Sequence, residues 1–208
     1  MKKIKIKRNK SLIIGIALIV MGIVIGTIPF FNEKKVEKEE TKLIEEFMEV
    51  PEKEEEQEII IEKVEENKPE AKPDYSMVIE INKISLKKGL YDINSKYNKV
   101  KYNIQILKES DMPNIKNGNL ILASHRGSSS VSYFNELYKL NQDDLVNIYY
   151  KNIKYIYSID NIYETEKDGT IVIHRDNDKS VLVLITCKKG ADNKQLVFIG
   201  NMIKQETY

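Results

Sequence analysis

Short apolar runs separated by polar turns dominate the chain from Tyr75 onward. Runs of Ile, Val, Leu and Tyr are broken there by Asn, Asp, Gly and Lys, a pattern typical of many short strands joined by tight turns. A hairpin turn is predicted at Lys151 and Asn152. Strands are predicted over Met77 to Ile81, Ile84 to Leu86, Tyr102 to Leu107, Leu120 to Ser124, Leu145 to Tyr150, Lys154 to Ile162, Thr170 to His174, Val181 to Thr186 and Gln195 to Asn201.

One segment between these strands has a helical pattern instead. In YFNELYKL at 133–140, the apolar residues Phe134, Leu137, Tyr138 and Leu140 fall on one face of a helix. We therefore expect a mainly β fold, in which a sheet of about eight strands closes into a barrel with short helices in its connections. Closure is favoured because it removes exposed strand edges.

A long uncharged stretch lies near the N-terminus. Leu12 to Phe31 has no charged residue in twenty positions, which is enough to cross about 30 Å of hydrocarbon as a helix. The alternative is a cleaved signal peptide, but the stretch is longer than a usual signal-peptide core and no A-x-A-like site follows it. Six positive charges precede it, at Lys2, Lys3, Lys5, Lys7, Arg8 and Lys10. The positive-inside rule then predicts a single-pass protein of the cell membrane, with its N-terminus in the cytoplasm and the remainder outside.

The pattern divides the chain into four segments. They are a basic cytoplasmic tail at 1–10, a transmembrane signal anchor at 11–32, a charged extracellular stalk at 33–74 and a folded domain at 75–208. Glu and Lys dominate the stalk, which is typical of a solvated spacer, although Leu43, Phe47 and Val50 have the spacing of a short amphipathic helix. The net charge of the whole chain is only +1, so no nucleic-acid partner is expected.

The chain has a single cysteine, Cys187, which follows the apolar run at 181–186 and precedes a charged turn. A thiol at the open end of a buried strand is held rigidly and is still reachable, as a nucleophile must be. A lone cysteine outside the cell cannot form an internal disulfide and is a liability unless it is buried or used. A buried structural cysteine is the alternative interpretation.

The chain has two histidines that can serve such a thiol. His125 follows the apolar run at 120–124 and so mirrors the position of Cys187, whereas His174 lies in a charged loop and fits a solvated side chain. We predict His125 as the partner, because an imidazole can take the thiol proton and later protonate a leaving amine. One cysteine and two separated histidines do not form a familiar ligand set, so neither a metal nor a cofactor is expected.

The short motifs around His125 and Cys187 resemble those of a known family. Ala-Ser-His-Arg-Gly at 123–127 and Leu-Ile-Thr-Cys at 184–187 resemble the histidine box and the TLxTC signature of sortases, the membrane-anchored cysteine transpeptidases of Gram-positive bacteria. The likeness covers roughly residues 77–203, with Asn82 where the family has a proline in an early I-P-K-I segment. The loop at 163–180 is too short for the helix inserted in some classes, so a class A-like or D-like layout is implied.

The resemblance implies a closed sortase β-barrel and a thiol-peptidase type of reaction. The Cys187 thiolate would attack the threonine carbonyl of an LPxTG-like sorting signal in a surface protein, and an amine of a peptidoglycan precursor would resolve the thioester. His125 would act as general acid and base. The loop at 163–180 would form a wall over the sorting-signal groove, and residues 188–194 its rim.

The chain departs from the family at one important position. Sortases usually have an arginine early in the last strand, and the matching residue here is Gln195. Gln195 keeps an amide donor but lacks the charge and the two-pronged geometry of guanidinium, so we assign it the role of stabilising the substrate and the transition state, with a solvated edge glutamine as the alternative. Lys194 should point to the opposite face of the strand, and Arg126 should point away from its neighbour His125 unless the loop turns sharply.

Two other functions remain open from the sequence. A sortase-like module without catalysis would bind an extracellular peptide, and a cysteine protease would release the acyl group to water. A reactive thiol separates the enzymes from the binding module, because a buried structural thiol is inert.

Overall fold

The structure is a computed structural model that describes residues 18, 19, 21, 38–49, 75–191 and 193–208. The chain divides into two units, Met1–Lys42 and Leu43–Tyr208. The predicted basic tail, most of the predicted membrane segment and most of the stalk lie outside the described residues. Among the residues described, no helix has both the length and the apolar character needed to cross a membrane.

Eight strands form one sheet in the second unit, which confirms the prediction of a mainly β fold. They are β1 (Tyr75–Ile81), β2 (Leu86–Tyr91), β3 (Gln105–Ile106), β4 (Asn119–Ala123), β5 (Leu145–Tyr150), β6 (Ile153–Glu166), β7 (Val181–Cys187) and β8 (Lys194–Thr207). Their order across the sheet is β2-β1-β5-β6-β8-β7-β4-β3. All neighbours are antiparallel except β4 and β7, which are parallel.

The sheet curls into a barrel that is nearly, but not fully, closed. Its edge strands β2 and β3 approach each other, but no backbone ladder is recorded between these two described strands. The Asn103 side chain bridges the seam instead, because its amide donates a hydrogen bond of 2.7 Å to the Gly89 carbonyl. The prediction of full closure is therefore corrected. The reason is that a side-chain amide, not a backbone N–H of β3, occupies the Gly89 carbonyl of β2.

β7 lies between the two main apolar clusters. Leu182 and Leu184 point into the barrel core with Phe198, whereas alternate residues of β7 point to the other face of the sheet. The cluster on that face, here called the outer cluster, consists of Ile121, Val181, Val183, Ile185, Val197 and Ile199. Burial on both faces explains the uninterrupted apolar sequence of β7. Each fully buried aliphatic side chain stabilises the fold by about 1.5–3 kcal/mol.

The parallel pairing of β4 with β7 continues past the end of its ladder. The register pairs Ala123 with Ile185, and the Ser124 amide then donates to the Ile185 carbonyl at 3.2 Å. The Thr186 hydroxyl donates to the Ser124 carbonyl at 3.1 Å, and this hydrogen bond is buried. The backbones that continue β4 and β7 therefore stay side by side as far as the residues that precede His125 and Cys187.

The helical pattern at 133–140 forms a tighter turn than predicted. Only Leu137–Lys139 is helical, as a 3₁₀ turn, and Tyr138 is exposed. Phe134, Leu137 and Leu140 are buried, and their spacing of three residues suits a 3₁₀ geometry, in which residues i and i+3 eclipse.

Three predicted strands differ for other reasons. Asn82–Ile84 is a 3₁₀ turn, and β2 begins at Leu86. Of the strand predicted over Tyr102–Leu107, only β3 forms. Thr170–His174 belongs to no strand, and its residues Ile171 and Ile173 pack on the outer cluster. The hairpin at Lys151 and Asn152 is confirmed, with φ values of 50° and 56°, which is the positive-φ pair of a type I′ turn.

A helix over 38–49 confirms the amphipathic pattern in the stalk. Its residues from Leu43 onward belong to the second unit. Ile44 is buried against Val78 and Tyr149, and Phe47 packs on the same cluster. We predicted a solvated stalk, whereas this part of it is in contact with β1 and β5.

We expect Asn103→Ala to destabilise the protein by about 1–3 kcal/mol, because it leaves the buried Gly89 carbonyl without its donor. Asn103 is 1% exposed. Chemical denaturation followed by circular dichroism measures the change. Asn94→Ala is the matched control, since Asn94 is exposed in the preceding loop and should shift stability by no more than about 0.5 kcal/mol. Equal stability of the two variants would contradict a structural role for the seam hydrogen bond.

Removing the Thr186 hydroxyl and removing the Ser124 hydroxyl should have opposite effects on the stability of the protein. Thr186→Val deletes a buried hydrogen bond and should cost about 1 kcal/mol. Ser124→Ala should leave stability unchanged or raise it, because the Ser124 hydroxyl is buried without a partner and its desolvation is unfavourable. The free energy of unfolding of each variant measures the difference. A larger loss in Ser124→Ala than in Thr186→Val would contradict this assignment.

Candidate active site

Cys187 is the last residue of β7. The six residues before it are all buried, whereas Cys187 itself is half-buried, and its thiol is free. The buried part of β7 fixes the backbone of Cys187, and the end of the strand leaves its thiol accessible.

Gln195 lies directly opposite Cys187. The antiparallel register of β7 and β8 pairs these two residues, and the side chains of a directly opposed pair lie on one face of the sheet. Val197 and Ile199 follow Gln195 at alternate positions and belong to the outer cluster, as do Val183 and Ile185 on β7. Cys187 and Gln195 therefore extend the outer face of the sheet towards its open end.

His125 follows β4 at the same end of the barrel. The parallel register pairs Ala123 with Ile185, and continuing it by two residues sets His125 level with Cys187. The His125 side chain is exposed, and its carbonyl accepts a hydrogen bond of 3.3 Å from the Phe134 amide. No hydrogen bond between His125 and Cys187 is recorded in the described part of the chain. The sheet thus brings the two backbones side by side, and the imidazole points to solvent.

An open cavity of about 850 Å³ adjoins Cys187. It lies among the loop after β4, the 3₁₀ turn and the loops that flank Cys187 and β6. Its lining comprises Arg126, Gly127, Ser128, Asn135, Glu136, Tyr138, Lys167, Cys187, Lys188, Lys189 and Gly190. The thiol is therefore surrounded mainly by polar and basic residues.

Arg126 lines this cavity together with Cys187, and its neighbour His125 is not among the lining residues. The loop bends at Gly127, which has a φ of 151°, a conformation that side-chain-bearing residues rarely adopt. The guanidinium lies 4.8 Å from the centre of the Tyr138 ring, a cation–π distance. The buried Nε of Arg126 has no hydrogen-bond partner.

Lys167 is the functional candidate that the sequence analysis missed. Its Nζ lies 3.7 Å from the Cys187 sulfur. Lys167 directly follows β6, and its amide donates to the Asn193 carbonyl at 2.7 Å. A signal in the sequence was the alternation of Tyr163, Thr165 and Lys167, which continues one face of β6 past its last residue. The sequence does not show that this face lies beside Cys187, because that depends on which strands are neighbours.

Two other lysines close to the end of β7 pair with a carboxylate. Lys194 lies 3.9 Å from a carboxylate oxygen of Glu164, as expected for the face opposite Gln195. Lys188 donates to the same carboxylate at 2.5 Å, and this hydrogen bond lowers the pKa of Glu164. Glu164 therefore pairs with both of these lysines.

The segment at 170–174 lies over the outer cluster. Ile171 and Ile173 pack on the cluster, and the Tyr163 hydroxyl donates to the Val172 carbonyl at 2.7 Å. The His174 ring contacts the Tyr163 ring edge-on at 5.1 Å, so the structure places this second histidine in the loop wall. Partial burial raises the pKa of Tyr163, although the His174 amide acts in the opposite direction.

The acidic residues at the end of β6 and in the loop after it already have partners within the protein. Glu164 pairs with Lys188 and Lys194, Glu166 accepts from Asn193, and Asp168 accepts from the Thr170 amide. Across the residues that the structure describes, no group of three or more His, Cys, Asp or Glu side chains is arranged to hold a metal ion.

Comparison with known proteins identifies this arrangement. A family model for the sortase domain matches residues 79–203. Sortase A of Bacillus anthracis is 24% identical over 211 residues, covering 95% of this chain and 96% of that protein.

Solved structures of sortases share the fold. The sortase D5 transpeptidase of Clostridium perfringens has 24% identity and a TM-score of 0.54, covering 63% of this chain and 80% of that one. Sortase A of Listeria monocytogenes has 16% identity and a TM-score of 0.55, with 64% and 90% covered. Sortase C1 of Streptococcus agalactiae has 27% identity and a TM-score of 0.54, with 62% and 68% covered. Since the domain match spans more than half of a chain that has this barrel and a cysteine at the open end of β7, the protein belongs to the sortase family.

Proposed function

We propose that this protein is a cysteine transpeptidase that cleaves an LPxTG-like sorting signal and transfers the surface protein to a cell-wall amine. The observation that carries the proposal is a free, half-buried thiol at the end of a rigid strand and beside an open cavity. The thiol is level with His125, which lies two residues after the end of β4. Membership of the sortase family supports this type of chemistry.

In the first half of the reaction, the Cys187 thiolate attacks the threonine carbonyl carbon of the sorting signal. A bond forms between sulfur and carbon, the carbonyl electron pair moves to oxygen, and the tetrahedral species collapses by breaking the peptide C–N bond. The departing amine takes a proton from His125. In the second half, His125 accepts a proton from the incoming amine, which attacks the thioester carbon and releases the Cys187 thiolate.

His125 can reach the reaction from its position after β4. Paired strands lie about 4.8 Å apart, so an imidazole at the level of Cys187 needs only a side-chain rotation to approach the sulfur. Catalytic hydrogen bonds are often long in the free enzyme and tighten when substrate binds. The exposed imidazole is therefore compatible with a general acid and base.

Gln195 has the position required of a donor to the substrate or the transition state. It lies opposite Cys187 across β7 and β8 and is half-buried. Its amide can donate to a developing oxyanion but has no positive charge. The loop wall at 163–180, which covers the outer cluster through Ile171 and Ile173, would select the sorting signal.

The proposal includes the membrane as a partner of the chain. The uncharged run at 12–31 and the six preceding positive charges support a single membrane anchor with a cytoplasmic N-terminus. The catalytic domain would then lie outside the cell, where both the surface protein and the amine acceptor are accessible.

We expect the full-length chain to form a covalent acyl adduct with an LPxTG-like peptide at Cys187, and the adduct to pass to an added amine. Intact-mass spectrometry detects each step. Cys187→Ala should form no adduct. His125→Ala should form it more slowly by about 10²–10⁴-fold, the usual contribution of a positioned general acid and base.

Two results would contradict a transpeptidase. Release of the peptide to water alone, even with excess amine, would favour a cysteine protease. A thiol that forms no adduct and also resists alkylation would favour a binding module, because a catalytic thiolate alkylates readily.

Gln195→Arg should raise turnover by up to about 10²-fold, because it adds a charged, two-pronged donor opposite the nucleophile. Steady-state transpeptidation by the full-length chain measures the gain. Gln205→Arg is the matched control, since it adds the same charge on β8 at an exposed position near its far end. Unchanged or reduced turnover in Gln195→Arg would contradict the assignment of Gln195 to the position of the missing arginine.

A further inference from the structure

Side chains from β7, from β8 and from the end of β6 lie on one face of the sheet beside the thiol. β6 pairs Thr165 with Gln195, and β8 pairs Gln195 with Cys187. Lys167 follows Thr165 by two residues, so alternation directs it to the same face as Gln195 and Cys187. The sheet therefore places an ammonium group where its Nζ is 3.7 Å from the Cys187 sulfur.

The backbone of Lys167 is held in this position. Its amide donates to the Asn193 carbonyl at 2.7 Å, which extends the β6–β8 pairing past Glu166 and Lys194. Two residues after Lys167, Gly169 has a φ of 93°, and the chain turns away towards the loop wall. Lys167, directly after β6, is thus still held by a backbone hydrogen bond to Asn193, the residue before β8, on the side of the thiol.

The other charged groups around Cys187 have other contacts or lie farther away. Lys188 and Lys194 pair with Glu164, Glu136 pairs with Lys139, and Arg126 lies over the Tyr138 ring. Lys189 lines the cavity and the exposed His125 follows β4, but neither has a recorded contact with the sulfur. Within the described residues, Lys167 has no carboxylate within ion-pair distance, so its charge is directed at the thiol.

We propose that Lys167 is a catalytic residue of this sortase, whose ammonium group stabilises the Cys187 thiolate and so supplies the positive charge that the last strand lacks. The inference rests on the proposed role of Cys187 as nucleophile. The ammonium acts only through its charge: the thiol proton passes to His125, which later gives it to the departing amine. An opposite charge at this distance favours the ionised form of a neighbouring group.

Exposure of Lys167 gives the inference a second signature. Lys167 is exposed to solvent, so dissolved ions screen its interaction with the thiolate. The reactivity of Cys187 should therefore fall as salt is added, and this fall should depend on Lys167. A purely structural role for Lys167 predicts no such dependence.

The test is the rate of alkylation of Cys187 by iodoacetamide in the full-length chain, measured across a range of pH and at low and high salt. Lys167→Met, which keeps the length of the side chain without its charge, should react roughly three- to tenfold more slowly near neutral pH. It should match the wild type at high pH, where the thiol is ionised in both. Lys167→Arg should behave as wild type, and Cys187→Ala gives the background.

Two further variants separate charge from structure. Lys108→Met removes the same charge from an exposed residue near the opposite end of β4 and should leave the alkylation profile unchanged. Gln195→Arg should restore the rate near neutral pH in the Lys167→Met background, because it returns a positive charge to the residue opposite Cys187. A loop that Lys167→Met had simply disordered would not be rescued in this way.

The inference is overturned if the alkylation profiles of Lys167→Met and wild type superimpose at every pH and salt concentration. It is also overturned if Arg126→Met shifts the profile and Lys167→Met does not, which would assign the charge to Arg126. Alkylation needs no peptide, so these outcomes are independent of the acyl-transfer assay. Failure of peptide transfer with a profile that depends on Lys167 would reject the proposed function and leave the lysine–thiolate contact established.

Discussion

The arrangement of the site depends on burial of β7 on both faces. Leu182 and Leu184 on one face and Val183 and Ile185 on the other pack into two separate clusters, so β7 has almost no freedom to slide or tilt. A one-residue shift would exchange the two sets of side chains. The same constraint fixes Cys187, because the residue at the end of a strand buried on both faces inherits the position of that strand.

The two neighbours of β7 place the other candidate site residues by different geometries. β4 runs parallel to β7, so their C-terminal ends meet and His125 arrives level with Cys187. β8 runs antiparallel, so it is the beginning of β8 that meets Cys187, and Gln195 is the residue opposite. β6 then brings Lys167 to the same end through its own pairing with β8. Alternation along these strands sorts the lysines, since Lys194 turns to Glu164 and Lys167 turns to the thiol.

Much of the fold and part of the candidate site could be predicted from local pattern. The strands with clear alternation or continuous apolar sequence were located correctly, as was the hairpin at Lys151 and Asn152, although β6 and β8 extend four and six residues beyond their predicted ends. The errors lie where a pattern suits two structures. The residues Phe134, Leu137 and Leu140 fit an α-helix and a 3₁₀ turn equally, and the 170–174 segment alternates because one side packs on the outer cluster, without a strand beside it.

The sequence by itself determined the mainly β character, the sortase resemblance and the choice of Cys187 and His125, because strand ends and short motifs are local properties of the chain. Tertiary structure alone decided which residues surround the thiol. Arg126 lines the cavity beside the thiol, and the approach of Lys167 depends on a strand order in which β8 lies between β6 and β7. Lys167 and Cys187 are twenty positions apart, and only hydrogen-bonded pairing through a third strand brings their side chains together.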